Sequence, residues 1–251
     1  MIDLRGTRAV VSGGSRGIGA ATALLLARAG ADVVVGYRAR GDAAERVAAE
    51  ARALGVRVVA HGADLGEPAG AASLVQAAVD AFGGVEAVVI NHGVWPAEEV
   101  AVGDMDDARW GRTMRENVDS MFRLARAAAR ALSRDGRIVM VSSTAGQRGE
   151  ALHADYAASK GAMISFVKSL AVELAPRGIT VNSVAPGWVD TEMTDSAMRD
   201  GGRDRIAAGI PIGRVATAED VAGPIAFLCS PLARHVTGEI LNVNGGSVLC
   251  G

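Results

Sequence analysis

The amino-acid sequence predicts a single-domain α/β fold, a doubly wound parallel sheet with helices on both faces. Short runs of β-branched residues alternate with longer amphipathic segments, which is the pattern of β-α-β units with right-handed crossovers. A chain of 251 residues with 49% hydrophobic content can bury one sizeable core, and no linker, repeat or charge run divides it. We therefore expect residues 1–251 to form one domain, with ligands at the carboxyl ends of the strands.

The first predicted elements are a strand that closes at Ser12 and an alanine- and leucine-rich helix that reaches Ala29, with Gly30 as its C-cap. Thr217 is the predicted N-cap of the last helix, with Asp220 three residues on. Further strands are predicted at 32–36, 56–60, 85–91, 137–141, 180–184 and 240–243, and further helices at 43–54, 69–82, 105–132, 155–175 and 218–229.

Composition and charge exclude several classes of function. The formal net charge of -2 gives no basic footprint for nucleic acid, and no apolar stretch is long enough to span a membrane. Residues 1–7 lead almost directly into the first strand, so we expect no signal peptide. Cys229 and Cys250 have no metal-like spacing and suggest a reducing compartment. We expect a cytoplasmic protein without a metal site.

The segment from Gly13 to Gly19 joins the first strand to the first helix and is rich in glycine. Glycines let the backbone turn tightly and approach a pyrophosphate, while the helix N-terminus offers free N–H groups and a positive dipole end. A strand, a glycine-rich turn and a helix in this order predict a dinucleotide-binding site. The alternative for a glycine triplet alone is an ordinary loop.

Tyr156 and Lys160 stand four residues apart in a chain whose only other tyrosine is Tyr37 and whose only other lysine is Lys168. On a helix this spacing puts the phenol and the ammonium on one face. A cation beside a tyrosine lowers the pKa of the phenol, so the pair is a candidate catalytic acid/base. The alternative is a surface contact between the two side chains.

These motifs, taken in order and spacing, resemble the short-chain dehydrogenase/reductase family over essentially the whole chain. The resemblance implies a Rossmann-like fold and a catalytic tetrad at Asn117, Ser143, Tyr156 and Lys160. Ser143 is preferred over Ser142 because family members place the serine thirteen residues before the tyrosine. The matching motifs are Gly13 to Gly19, Asp64-Leu65, Asn91-His92-Gly93, Asn117-Val118, Ser142-Ser143, Tyr156 to Lys160, and Pro186-Gly187 with Thr191.

The chemistry that the resemblance implies is hydride transfer between a nicotinamide and a carbonyl carbon. Tyr156 protonates the developing alkoxide and Ser143 fixes the carbonyl oxygen with a second hydrogen bond. Lys160 holds the nicotinamide ribose and lowers the pKa of the tyrosine, and Asn117 helps to hold a water chain that restores the proton. Each residue also has a structural alternative, such as a strand-end hydroxyl for Ser143 or a polar helix residue for Asn117.

Residues after the second strand favour NADP(H) over NAD(H). Tyr37 and Arg38 stand where NAD-binding relatives commonly have an acidic residue, and Arg16 lies on the same side, so two cations suit a 2′-phosphate. Arg38 as a solvated loop charge is the alternative. The residues that the resemblance places at the cofactor are Gly13, Ser15, Arg16, Gly17, Ile18, Gly19, Tyr37, Arg38, Asp64, Leu65, Asn91, Gly93, Tyr156, Lys160, Pro186, Gly187, Val189 and Thr191.

The substrate is predicted to lie between a mobile lid at about residues 187–213 and the segment 146–155. Trp95 and Trp188 stand where family members contact substrate, although either can serve packing alone. The motif from Pro186 to Thr194 is similar to that of 3-oxoacyl-[acyl-carrier-protein] reductases, which implies an NADPH-dependent reductase of a 3-oxoacyl thioester. The alternatives are an NADP-dependent dehydrogenase of a sugar, polyol, steroid or other secondary alcohol, and a non-catalytic NADP(H)-binding protein.

The partners that the resemblance implies are an acidic acyl carrier protein and further copies of the chain, in a homotetramer. Arg134 and Arg177 align with arginines that dock the carrier, although both can equally be surface arginines. His92 departs from the alanine that is usual in the family, and the sequence offers no physical reason for a histidine there.

Overall fold

The computed structural model describes residues 2–249, so Cys250 lies outside the described residues. The chain forms a parallel sheet of seven strands in the order β3-β2-β1-β4-β5-β6-β7. This confirms the predicted fold class. The strands are β1 Arg8–Val11, β2 Asp32–Tyr37, β3 Val58–Gly62, β4 Ala87–Ile90, β5 Arg137–Val141, β6 Thr180–Pro186 and β7 Ile240–Val243.

Helices cover both faces of this sheet, as predicted. Their bounds are α1 Gly17–Arg28, α2 Gly41–Arg52, α3 Pro68–Phe82, α4 Asp107–Met114, α5 Ser120–Ala131, α6 Thr144–Arg148, α7 Ala154–Leu174, α8 Asp195–Met198, α9 Gly202–Ala208 and α10 Ala218–Cys229. Buried side chains of α1, α2 and α10 form one apolar cluster with the sheet. Those of α3, α5 and α7 form a second cluster with other strand residues.

Strand β4 shows how one sheet supplies two cores. Ala87 and Val89 belong to the cluster under α1, α2 and α10, whereas Val88 and Ile90 belong to the cluster under α3, α5 and α7. All four side chains are fully buried. Because successive strand residues point to opposite faces, a strand that is covered on both sides needs a continuous apolar run.

The helical stretch predicted at 105–132 is helical over 107–131, but a π-helical turn, Arg115–Asp119, separates α4 from α5 within it. The Ser120 N–H donates to the Arg115 carbonyl, five residues back, and leaves the Glu116 carbonyl without its α-helical donor. The Ser120 hydroxyl donates to the Glu116 carbonyl instead, at 2.6 Å. A side chain thus replaces the missing backbone hydrogen bond.

Other bounds differ less from the predicted ones. β3 begins two residues later than predicted, and β4 is shorter than the predicted 85–91. The sequence does not predict α6, α8 or α9, since helices this short carry too little periodicity. Thr217 caps α10 as predicted: its hydroxyl accepts from the Asp220 N–H at 3.3 Å, and the Asp220 carboxylate accepts from the Thr217 N–H at 2.8 Å.

Residues 2–249 contain no helix long and apolar enough to cross a membrane, and no group of three or more His, Cys, Asp and Glu side chains placed to hold a metal ion. Cys229 is buried as a free thiol in α10. Burial raises the pKa of this thiol to about 12, so the side chain behaves as a small apolar group.

Gly19 brings the first turn of α1 directly onto the glycine-rich loop. A Cβ at Gly19 would lie 2.1 Å from the Gly13 carbonyl oxygen and 2.6 Å from Asn91 Nδ2. Gly13 itself has a φ of +63°, in the left-handed region that favours glycine. The loop and the helix therefore approach as closely as their backbones permit.

We expect Gly19→Ala to lower the free energy of unfolding by about 1–3 kcal/mol, because the added methyl overlaps backbone that cannot move freely. Gly223→Ala is the matched control. Gly223 also lies in a helix, but an added Cβ there meets no atom within 4 Å. This control should stabilise the protein by up to about 1 kcal/mol. Urea denaturation measures both variants, and equal stabilities would show that α1 can shift away from the loop.

Candidate active site

A cleft of about 350 Å³ runs along the carboxyl ends of the strands. It is lined by every residue predicted to bind cofactor or substrate except Gly19, which packs beneath the loop. Asn117 is buried and does not belong to the lining, whereas the other predicted catalytic residues do. Lining residues that the sequence does not predict include Arg40, Glu116, Ser120, Thr144 and Ala145, whereas Arg148, Glu150, Glu192, Met193 and Thr194 belong to the two segments predicted to flank the substrate.

Helix α7 carries Tyr156 and Lys160 in its first two turns, below the end of β5. Ser143 follows β5 and is the N-cap of α6, where its hydroxyl accepts from the Ala145 N–H at 3.1 Å. The Ser143 side chain is close enough to the Tyr156 phenol to affect its pKa. Lys160 Nζ donates to the Val141 carbonyl at 2.8 Å and lies 5.8 Å from the centre of the Tyr156 ring. The three predicted side chains therefore meet in one place.

The expectation that Lys160 lowers the pKa of Tyr156 is not met. Burial raises the pKa of the phenol to about 12, and the Ser143 side chain, which lowers it, opposes this only in part. Burial also lowers the pKa of Lys160 to about 8. The physical reason is that desolvation disfavours both charged forms, while the ammonium is directed at the Val141 carbonyl. The phenol is therefore held protonated, as a proton donor.

Asn117 holds the loop after β4 through its side-chain amide. Its Oδ1 accepts from the Val94 N–H at 2.8 Å, and its Nδ2 donates to the Val94 carbonyl and the Ser159 hydroxyl, each at 3.0 Å. Both amide protons are thus used inside the protein. Only the second lone pair of Oδ1 therefore remains free to bind a water molecule of the predicted water chain.

Arginines gather where the sequence predicts the adenosine end of a cofactor. Arg16 Nη1 lies 2.5 Å and Arg40 Nη2 3.1 Å from the Glu192 carboxylate. Arg38 pairs with Glu116. The acidic partners are 176, 152 and 78 residues away in the chain, so no local pattern reveals them. The cleft contains three guanidinium groups beside Tyr37, one more than the sequence predicts.

The opposite part of the cleft has an aromatic wall. Trp95 stacks on His153 with ring centres 5.0 Å apart and meets the edge of Trp188 at 5.8 Å. Its indole N–H donates to the Glu150 carboxylate at 3.4 Å. Burial raises the pKa of Glu150 above its ordinary value. Trp95 and Trp188 thus line the predicted substrate pocket and also pack against protein groups.

Known proteins resemble the chain along nearly all of its length. A family model described as enoyl-(acyl carrier protein) reductase matches residues 13–247. The 3-oxoacyl-[acyl-carrier-protein] reductase FabG of Vibrio cholerae is 40% identical, with 98% of both chains covered. The L-rhamnose 1-dehydrogenase (NAD(P)(+)) of Azotobacter vinelandii is 37% identical, with 94% of both covered. A short chain dehydrogenase from Burkholderia cenocepacia, crystallised in complex with NADP, superposes with a TM-score of 0.91 at 39% identity, covering 97% of this chain and 98% of that one.

The chain belongs to the short-chain dehydrogenase/reductase family. It is therefore an oxidoreductase with a nicotinamide cofactor, and the predicted family is confirmed. When bound, such a cofactor supplies or accepts the hydride.

The residues of this short-chain dehydrogenase/reductase are suited to hold a nicotinamide dinucleotide cofactor. No side chain caps the N-terminus of α1 and no acidic residue lies in its first turn, so its free N–H groups are available to phosphate oxygens. A Cβ at Gly93 would lie 3.5 Å from Lys160 Nζ and would fill the cleft beside it.

We expect Tyr156→Phe to lower kcat by about 10²–10⁴-fold while leaving cofactor affinity nearly intact, because it removes the proton donor and little volume. Tyr37→Phe is the matched control, since it removes the other phenol hydroxyl of the chain and should change cofactor KM more than kcat. Steady-state kinetics and NADPH fluorescence titration measure both. A Tyr156→Phe enzyme with more than about a tenth of the wild-type kcat would remove Tyr156 from the mechanism.

The lowered pKa of Lys160 sets a pH dependence. Its ammonium is charged below pH 8 and loses its charge as the pH rises through about 8. The kcat/KM for carbonyl reduction should therefore fall on the alkaline side with an apparent pKa near 8. A guanidinium stays charged, so Lys160→Arg should have a lower rate but no such alkaline limb. An alkaline limb that persists unchanged in Lys160→Arg would assign it to another group.

Proposed function

We propose that the protein is an NADPH-dependent reductase of 3-oxoacyl thioesters. The observation that carries this proposal is the similarity to a 3-oxoacyl-[acyl-carrier-protein] reductase, 40% identical over 98% of both chains. The convergence of Ser143, Tyr156 and Lys160 at one point of the cleft supports it. The reduced product would be a 3-hydroxyacyl thioester.

In this proposal the protein groups act on the carbonyl oxygen. The Ser143 hydroxyl donates a hydrogen bond to that oxygen, and the Tyr156 hydroxyl transfers its proton to it as negative charge develops. Lys160, which also lines the cleft, would hold the nicotinamide ribose of a bound cofactor, the role that the family resemblance implies. Asn117 fixes Val94, and with it the loop that borders Lys160.

The proposed cofactor is NADP(H). Arg16, Arg38 and Arg40 line the same cleft as Tyr37, and guanidinium groups bind phosphate monoesters through charge-assisted hydrogen bonds. Glu116 and Glu192 already pair with these arginines, so a bound 2′-phosphate would compete with two carboxylates. We expect this competition to moderate the affinity for NADPH without removing the preference.

Replacing Tyr37 with Asp and Arg38 with Ala should shift the preference toward NADH. Each charge-assisted bond to the phosphate contributes about 1.5–3 kcal/mol, and the new carboxylate repels the phosphate. Arg46→Ala removes another arginine of the same region, one that pairs with Asp42 in α2, and should not change the preference. The ratio of kcat/KM for NADPH and NADH measures the shift. An unchanged ratio in the double variant would place the phosphate elsewhere.

A second candidate is a dehydrogenase of sugars, polyols, steroids or other secondary alcohols. Two observations favour it: the 37% identity to an L-rhamnose 1-dehydrogenase, and the Glu150 carboxylate beside Trp95 in the substrate part of the cleft. A carboxylate accepts hydrogen bonds from hydroxyl groups, which a simple acyl chain lacks.

The proposed protein partner is an acidic acyl carrier protein that docks at Arg134. Arg134 is exposed and makes a 3.4 Å hydrogen bond with the Pro176 carbonyl. Arg177, the other predicted docking residue, donates to the Ala129 and Leu132 carbonyls and so satisfies the C-terminal end of α5. A docking role for Arg177 would require its guanidinium to leave these carbonyls.

Two assays test the proposed function: NADPH oxidation with an acetoacetyl thioester, a crotonyl thioester or a bulky cyclic ketone, and NADP reduction with L-rhamnose. We expect the acetoacetyl thioester to be the best substrate.

The Arg134→Glu variant should keep the wild-type kcat on a small thioester and lose about 1–3 kcal/mol in kcat/KM on the carrier-bound substrate, most at low salt.

Arg234→Glu is the matched control for docking, because Arg234 is also exposed and also makes one 3.4 Å bond to a backbone carbonyl. Equal losses on both thioesters would assign Arg134 to the fold. No thioester turnover, together with turnover of L-rhamnose, would favour the second candidate.

We also propose a homotetramer, assembled through α5 and α7. Phe122 on α5 is 44% exposed and meets Phe166 on α7 edge to face, while Val172 on α7 is 78% exposed. Apolar side chains exposed on two neighbouring helices are typical of an interface. The lid at residues 187–213 and the cytoplasmic location stay predictions.

A further inference from the structure

His92, for which the sequence offers no physical reason, lines the cleft and lies between two serines. Its Nδ1 is 2.7 Å from the Ser12 hydroxyl, at the end of β1. Its Nε2 is 2.8 Å from the Ser120 hydroxyl, at the start of α5. The imidazole thus joins three segments of the site: the first βα loop, the loop after β4 and the helix beyond the π-helical turn.

The hydrogen-bond partners of the serines determine which nitrogen of His92 carries the proton. The Ser120 hydroxyl donates its one proton to the Glu116 carbonyl at 2.6 Å, so it can only accept from His92. Nε2 must therefore be the protonated nitrogen. Nδ1 is then an acceptor for the Ser12 hydroxyl, whose oxygen accepts from the Asn91 N–H at 3.0 Å.

This chain of hydrogen bonds does not form a proton relay. It runs from Ser12 through His92 and Ser120 and ends on the Glu116 carbonyl, which has no proton to pass on. The imidazole is also held neutral, because burial and the nearby charges of Lys160 and Arg38 lower its pKa to about 3. A fixed, neutral donor and acceptor serves to hold groups in place.

The group that His92 holds belongs to the π-helical turn. The Ser120 hydroxyl replaces the backbone donor that the Glu116 carbonyl lost, and the His92 N–H fixes the orientation of that hydroxyl. The same turn carries Asn117, whose amide binds both backbone groups of Val94. His92 is two residues before Val94, so the imidazole and Asn117 attach the same loop to the same turn at two points.

We propose that His92 is a positioning residue that, through Ser120, stabilises the π-helical turn and so holds Asn117 and the loop beside Lys160 in their reactive arrangement. This inference rests on the proposed role of Asn117 in the site and is independent of the identity of the substrate. Loss of the His92 side chain should lower the reaction rate more than the affinity for NADPH, because the hydrogen bond to Ser120 orients catalytic groups and adds no contact to the cofactor.

The first test is the ¹⁵N NMR spectrum of the histidine side chains in the wild-type protein. We expect His92 to be a neutral imidazole with the proton on Nε2 from pH 5 to pH 8, since Ser120 can only accept from Nε2 and burial with the nearby cations lowers the pKa to about 3. A proton on Nδ1, or a titration near the ordinary pKa of about 6.5, would overturn the proposal. This measurement needs no substrate, so its outcome is separate from that of the proposed function.

The second test compares variants on whichever ketone the wild-type enzyme reduces. At saturating NADPH, His92→Ala and Ser120→Ala should each lower kcat about 10-fold with less than about a 3-fold change in NADPH Kd. The double variant should be no worse than the poorer single variant, because both act through one contact. His92→Gln keeps a donor near Ser120 and should recover part of the rate.

His61→Ala is the matched control, since His61 Nε2 also meets a serine hydroxyl, that of Ser73 at 3.2 Å, outside the cofactor cleft. It should leave kcat unchanged. Additive losses in the double variant, no recovery in His92→Gln, or an equal loss in His61→Ala would each overturn the proposal. If His92→Ala fails to fold, Ser120→Ala and His92→Gln decide it together with the NMR spectrum.

Discussion

The parallel pairing of β1 with β4 is the interaction on which the site depends. The chain winds outward from β1 to β3 and then returns to the other side of β1, so the loops after β1 and β4 diverge from adjacent strands and leave a crevice. Asn91 fixes this point, since its Nδ2 donates to the Ser12 and Gly13 carbonyls, each at 3.2 Å. The loop after β1 and the loop after β4 are thereby held at a fixed distance from each other.

Burial determines the protonation states of the catalytic side chains in this cleft. Lys160 is buried and Tyr156 is partly buried in the cleft, and desolvation moves the pKa of each side chain in the direction that favours its neutral form. A carbonyl, rather than a carboxylate, receives the Lys160 ammonium. Because a carbonyl supplies only a partial charge, the ammonium is stabilised less than in an ion pair, and its proton can leave near neutral pH.

Much of the fold and of the site follows from the sequence, and the remainder depends on contacts between distant residues. Strands such as 137–141 are predicted to the residue because continuous apolar runs report burial on both faces. The π-helical turn is missed, since only the Ser120 hydroxyl marks it. The raised pKa of Tyr156 is also missed, because the spacing of residues in the sequence predicts which side chains are neighbours but not how strongly they are desolvated. Glu116 and Glu192 are also missed, although they stand next to Asn117 and inside the motif from Pro186 to Thr194, because their arginine partners are distant in the chain.

The order of the strands has a consequence for folding. Every hydrogen-bonded pair of strands is parallel, so none is a hairpin, and each needs a complete crossover before it can form. Such long sequence separations slow folding, since the chain loses conformational entropy before the stabilising contacts between strands can form. The groups around the cleft span residues 13–194, so the cleft is complete only when segments that follow most of the strands have come together.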